Sequence, residues 1–261
     1  SGVCHHVAVH TRDLEATIGW FEQHCGYASI ARGRFETSRI HRLRPPDGAG
    51  AAALELLSET PASPSRHPRI ALAVDDHDAV RDAAASTSAK LLSTDGGMGP
   101  MDAVLEIPGG VRCGVSIGEP SPRWRLVGAY LPTPDPGAVI DWYTRVFEWQ
   151  PLAEPSELLD SGCRLRPTTD SDSETWLMIY TPPNPEASTR QGWAGHLAIA
   201  CDDLDSYPTQ LRARSEGTLR IEGVCGGMVR RTVDPAGTRI EFIERPGPVD
   251  GSADRQTGGA G

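Results

Sequence analysis

Four side chains in this sequence have the type and setting that metal or proton chemistry needs. His6 opens the run His6-Val-Ala-Val-His10, and His196 opens His196-Leu-Ala-Ile-Ala-Cys201. Glu55 lies in Leu54-Glu55-Leu56 and Glu241 in Ile240-Glu241-Phe242. An imidazole and a carboxylate that face one cavity from different strands can hold a divalent ion. Each residue taken singly also has a plainer account. A strand histidine is commonly a hydrogen-bonded core or surface residue. A glutamate between apolar residues can be the polar face of an alternating strand. A buried acid flanked by apolar neighbours nevertheless needs a partner, and a cation is one.

The elements that would position these residues come from an internal repeat. Four segments align without a gap over eight residues: His6–Asp13, Arg69–Asp76, Gly128–Asp135 and His196–Asp203. Each is a strand-like apolar run that ends in an aspartate. A stretch with helical character follows, as in Leu14–His24 and Pro136–Trp149. Asp13, Asp76, Asp135 and Asp203 are therefore read as helix N-caps, whose carboxylates accept from the exposed amides of the first turn. Further strand-like runs come next: Ala28–Arg34, Ser38–Arg44 and Ala52–Ser58 in the first unit, and Leu219–Gly223, Val229–Val233 and Arg239–Glu244 in the last. Turn signals separate them, among them Pro45-Pro46-Asp47-Gly48 and Asp234-Pro235-Ala236-Gly237.

The chain thus reads as an α+β protein of four βαβββ units, at 5–60, 69–118, 125–182 and 195–245. Pro/Ser-rich joints at Pro61–Pro68 and Glu119–Pro122 fit linkers. Grouped along the chain, residues 1–120 hold two units and 123–245 the other two. Residues 246–261 are Gly, Ser, Asp and Pro with hardly an apolar side chain, and a disordered tail is expected.

Four βαβββ units, a histidine on a first strand, an aspartate at the helix start and an Asp-Pro-x-Gly turn before a glutamate-bearing strand resemble the vicinal oxygen chelate superfamily. That group includes glyoxalase I, bleomycin-resistance and fosfomycin-resistance proteins, methylmalonyl-CoA epimerase and extradiol dioxygenases. The resemblance runs to about residue 245 and implies two curved open barrels, each built from two units. It also implies metal ligands on the first and last strands of a unit. The first-strand positions are His6, Arg69, Gly128 and His196, and the last-strand positions are Glu55, Gly114, Met178 and Glu241. Units one and four each carry a histidine and a glutamate; units two and three carry neither.

If unit one pairs with unit four, His6, Glu55, His196 and Glu241 meet in one site, leaving two open positions on an octahedral ion. If neighbours pair, each barrel holds one histidine and one glutamate, a poor site. The first-with-fourth pairing is the expectation. One divalent metal ion follows from the resemblance, and two imidazoles with two carboxylates suit Ni²⁺, Zn²⁺, Fe²⁺, Mn²⁺ and Co²⁺ alike. In glyoxalase I a ligating glutamate removes the carbon-bound proton, a role that falls by position to Glu241 or its counterpart Glu55.

Residues of weaker signal are His10, on the same strand face as His6, Trp193, just before the His196 strand, and Arg230, beside Arg231 on the penultimate strand. His5 is expected to point the other way, into solvent. His24, His41, His67 and His77 read as helix-end or loop residues at the surface. The six cysteines form no CxxC pair and read as small core residues in a reducing cytosol.

Composition narrows the partners. Against 35 acidic residues stand 25 basic ones, for a net charge of −10, which disfavours nucleic acid. Lys90 is the single lysine among those basic residues, a bias of GC-rich genomes such as those of actinobacteria. No apolar run approaches the roughly 18–20 residues of a membrane helix, and no signal-peptide pattern is present, so a cytoplasmic protein is expected. The expected partner is a small-molecule substrate, and the quaternary state a monomer or homodimer. The leading functional expectation is a glyoxalase-like lyase or isomerase that moves a proton beside a metal-chelated carbonyl. The alternatives are an iron-dependent oxygenase, an antibiotic-sequestering protein without metal, and a transferase of the fosfomycin-resistance kind.

Overall fold

The computed structural model describes residues 2–35, 38–45, 52–58, 69–86, 88–93, 101–117, 124–152, 162–168, 175–182, 195–201, 218–220 and 228–244. Unit one contains β1 (Gly2–Thr11), α1 (Leu14–Cys25), β2 (Ala28–Phe35), β3 (Ser38–Arg44) and β4 (Ala53–Ser58). Unit two follows with β5 (Ile70–Val74), α2 (His77–Ser86), β6 (Lys90–Ser93), β7 (Ala103–Ile107) and β8 (Val111–Ile117). Unit three has β9 (Arg125–Pro132), α3 (Pro136–Phe147), β10 (Gln150–Pro151), β11 (Cys163–Arg166) and β12 (Trp176–Tyr180). Unit four contributes β13 (His196–Cys201), β14 (Thr218–Arg220), β15 (Met228–Val233) and β16 (Arg239–Glu244). The segment after Asp203, expected to be the fourth helix, lies outside the described residues, as do both proline-rich joints and the tail.

Helix starts follow the aspartate signal. Asp13 accepts from the Ala16 amide at 3.0 Å, and Asp135 accepts from the Ala138 amide at 3.0 Å. Each carboxylate satisfies one of the donors that a first helical turn leaves open. Gly26 ends α1 in the left-handed conformation at φ 66°, where a side chain would be strained.

Two curved eight-stranded mixed sheets result. One runs β14-β15-β16-β13-β1-β4-β3-β2 and joins unit four to unit one; the other runs β10-β11-β12-β9-β5-β8-β7-β6 and joins unit three to unit two. The seam of the first sheet is the antiparallel pair β1/β13, flanked by the parallel pairs β1/β4 and β13/β16. Strand alternation then separates two faces. Val7, Val9, Leu54, Leu56, Leu197, Ile199, Ile240 and Phe242 enter a continuous apolar core shared with α1, α3 and the second sheet. The intervening residues, among them His6, Ala8, Glu55, Ala198 and Glu241, take the opposite face.

Contacts between neighbouring units fasten one sheet to the other. The Thr17 hydroxyl of α1 donates to the Pro108 carbonyl at 2.8 Å, and the Arg12 amide donates to the Gly109 carbonyl at 3.0 Å. Tyr143 of α3 donates its hydroxyl to Asp234 at 3.1 Å. Asp234 also accepts from the Thr238 amide at 2.8 Å, closing the Asp-Pro-x-Gly turn. Among the described residues, no helix is long and apolar enough to cross a membrane. Cys4, Cys25, Cys113, Cys163 and Cys201 are buried thiols, and Cys225 lies outside the described residues.

Candidate metal centre

The seam of the first sheet brings the two histidine-bearing strands side by side. His6 comes from β1, and His196 opens β13. Along that antiparallel pair His6 stands opposite Ala198 and His196 opposite Ala8, so both histidines share one face. The outer parallel pairs add the acids: Glu55 of β4 lies beside Ala8, and Glu241 of β16 beside Ala198. Each glutamate is therefore placed against the residue two after its unit's histidine. This register repeats in the second sheet, where Gly114 lies beside Ala71 and Met178 beside Tyr130. The sequence alignment of the four units is thus the structural one.

The four side chains converge. The two Nε2 atoms of His6 and His196 face each other at 2.9 Å. Glu55 approaches both, with Oε2 at 3.6 Å from His6 Nε2 and Oε1 at 3.4 Å from His196 Nε2. Glu241 Oε2 lies 3.3 Å from His196 Nε2. Donor atoms from His6, His196 and Glu241 all fall within 4.8 Å of one another. All four residues are buried. Burial, joined by the charges of Arg42, His196 and His5, holds the His6 imidazole well below its ordinary pKa.

These residues fit a divalent ion. Metal–nitrogen and metal–oxygen bonds are ~2.0–2.2 Å, so neighbouring ligands on an octahedral ion stand about 3 Å apart. The separations of 2.9 to 3.6 Å between the histidine nitrogens and carboxylate oxygens match that spacing. A neutral imidazole is also the form that binds a metal.

Arg42, Arg231 and His5 contact these donors, and of the three Arg42 alone carried no signal in the sequence. Arg42 of β3 stands directly across from Glu55 and donates Nη2 to Oε2 at 2.5 Å. Arg231 of β15 stands directly across from Glu241 and donates Nε to Oε1 at 2.7 Å. The two pairs are related by the same pseudo-symmetry as the units. In the same register Arg230 lies across from Phe242. His5 was expected in solvent, but its Nδ1 lies 2.9 Å from His6 Nδ1. An irregularity of register between Cys4 and His6 explains this, because a bulge breaks the alternation that the expectation assumed.

His10 is half-buried and stands opposite Leu57, farther along the same face of β1. Trp193 lies outside the described residues. His41, expected at the surface, is buried in β3 with Nε2 at 2.6 Å from the Ser29 hydroxyl.

Among the described residues, the four corresponding positions of the second sheet carry no such donors. Arg69 takes the place of His6, with Gly114, Gly128 and Met178 at the other three positions. Its middle is filled by a buried cluster that includes Tyr130, Trp176, Tyr180, Met101 and Met178. A Cβ on Gly114 would collide with Tyr130 and Met101, and one on Gly128 with the Trp176 carbonyl. The two glycines are what lets those aromatic side chains lie across the sheet.

Comparison with known proteins agrees with this geometry. Residues 125–242 match the model of the Glyoxalase/Bleomycin resistance protein/Dioxygenase superfamily. That segment belongs to this superfamily. The whole chain has its fold. A point variant of glyoxalase I from Zea mays is similar over 94% of this chain and 92% of its own, with a TM-score of 0.69 and 17% identity. Glyoxalase I itself from Zea mays gives a TM-score of 0.66 and 18% identity, over 94% of this chain and 92% of that one. A candidate dioxygenase from Bacillus subtilis gives 0.60 and 11% identity, over 94% and 85%. No curated protein matches the sequence.

Proposed function

We propose that the chain is a metal-dependent enzyme of the glyoxalase I type, a lyase or isomerase that activates a small substrate bearing vicinal oxygens. The observation that carries this reading is the cluster of two histidines and two glutamates at ligand spacing, half from unit one and half from unit four. His6, Glu55, His196 and Glu241 would hold the ion, and His5 would orient His6 through its second ring nitrogen. Bound there, a divalent ion supplies Lewis acidity to a chelated carbonyl or hydroxyl.

The protein's own part is proton transfer. Glu241 keeps Oε1 on Arg231 and leaves Oε2 toward the centre, where it can take the carbon-bound proton of the substrate. Glu55 is the pseudo-symmetric candidate, through Oε1. Low exposure of the cluster limits competition from water and strengthens each interaction with a developing oxyanion. Since one chain supplies both halves of the site, a monomer suffices.

The reading predicts exchange of an acidic C–H for solvent deuterium on a 2-hydroxy carbonyl substrate, without oxygen. In protein whose metal content is matched to wild type, Glu241→Gln should slow that exchange by about 10²-fold or more, the range for loss of a general base, and by more than it weakens substrate binding. Equal rates in wild type and variant would remove Glu241 from that role.

A second reading has an observation of its own. His6, His196 and Glu241 offer donor atoms within 4.8 Å of one another, and two histidines with one carboxylate are the ligand set of non-haem iron oxygenases. Oxygen uptake in step with product, in protein loaded with Fe²⁺ alone, would favour it.

A further inference from the structure

The two glutamates of the centre and the two arginines that face them balance in charge before any ion is added. Glu55 is paired with Arg42, and both side chains are 5% exposed. Glu241, 3% exposed, is paired with Arg231, 15% exposed. Each arginine faces its glutamate directly across an antiparallel strand pair, so the arrangement is built into the register and not left to a flexible loop. With both imidazoles neutral, as ligation requires, two guanidinium and two carboxylate charges cancel. A divalent ion among two glutamates alone would leave the centre neutral. Here it leaves two positive charges with little water to screen them, and uncompensated buried charge is costly. An anion in the open coordination positions offsets that charge at the shortest distance.

Resting on the metal-centre reading above, we infer that this site selects chelating anions, of the 2-hydroxycarboxylate or 2-oxocarboxylate class, over neutral compounds with vicinal oxygens. Arg42 and Arg231 set that preference. They act through charge and through their hold on one oxygen of each glutamate; they are positioning and specificity residues, not proton carriers. The vicinal oxygens of the favoured ligand are a hydroxyl or carbonyl oxygen and one carboxylate oxygen, which together span two neighbouring coordination positions.

The test uses the full chain loaded with Co²⁺, whose visible spectrum reports direct ligand binding, and whose content is measured on the same samples. Glycolate and hydroxyacetone are the probes, since they share the hydroxymethyl group and differ in carboxylate against methyl ketone. Wild type should bind glycolate at least 10-fold more tightly than hydroxyacetone. In the Arg42→Gln/Arg231→Gln double variant, with Co²⁺ still bound, that ratio should fall at least 10-fold. Arg42→Lys/Arg231→Lys should restore most of it. If the double variant does not fold, Arg231→Gln alone, at the more exposed position, should lower the ratio by a smaller factor. A ratio unchanged in the folded glutamine variants, or equal binding of the two probes to wild type, overturns the inference while leaving the metal centre intact. Wild-type protein that takes up no Co²⁺ overturns the metal centre itself, and this inference with it.

Discussion

At the scale of single residues, the site depends on partners that hold its donors in place. His5 meets His6 through Nδ1 at 2.9 Å, the contact by which an outer histidine fixes a ligand's tautomer and ring orientation. His5→Ala should therefore weaken metal affinity by about 10–100-fold, the usual cost of losing such support. A competition titration against a chromophoric chelator measures this, and an unchanged affinity would leave His5 without that role. The two histidines and two glutamates were legible because the repeat put like residues in like places. Arg42 and Arg231 were equally present in the sequence, but their meaning depends on which residues lie across the strand. His5 was not legible, because no local signal in Cys4-His5-His6 marks the bulge that turns it inward.

At the scale of elements, strand and helix limits followed alternation and capping closely. β3 spans Ser38–Arg44 and β16 spans Arg239–Glu244, as the apolar pattern and its flanking turns indicated. β14 covers Thr218–Arg220, and residues 221–223 of the expected Leu219–Gly223 run lie outside the described residues. Two elements carry tests of stability. In β9, Gly128 lies against the Trp176 carbonyl, a backbone atom that cannot turn aside. Gly128→Ala should cost about 1–3 kcal/mol or more, the range for overpacking, in a chemical denaturation experiment. A neutral result would mean that β9 and β12 can move apart freely.

The turn between β15 and β16 carries a charge test. Burial pushes the Asp234 carboxyl up to about 6 from 3.8. The folded state thus holds this proton more firmly than the unfolded chain, so the contribution is full below pH ~4 and is lost as pH rises through about 6. At ~1.4 kcal/mol per pH unit, wild type should lose roughly 3 kcal/mol relative to Asp234→Asn between pH 4 and 7. A difference independent of pH would contradict this.

At the scale of the whole molecule, four copies of one unit have diverged into two sheets with different work. Units one and four form a sheet whose face opposite the apolar core converges on His6, Glu55, His196 and Glu241. Units two and three form a sheet whose equivalent face is filled by Tyr130, Trp176 and Met178. The pairing of first with last was legible because only that arrangement unites both His/Glu pairs. The filling of the second sheet was not, since it depends on aromatic side chains lying across Gly114 and Gly128 from other strands. An ion held only by the folded chain stabilises it by mass action, by about 2.7 kcal/mol at 100 times the dissociation constant. Removal by chelator should accordingly lower Tm, and readdition should restore it. The central claim is that these four side chains form one metal centre, and elemental analysis of protein purified without chelator tests it most directly. The account predicts one divalent ion per wild-type chain, and strong loss in His6→Ala, Glu55→Gln, His196→Ala and Glu241→Gln. Equal metal content in wild type and all four variants, or none in wild type, would contradict it.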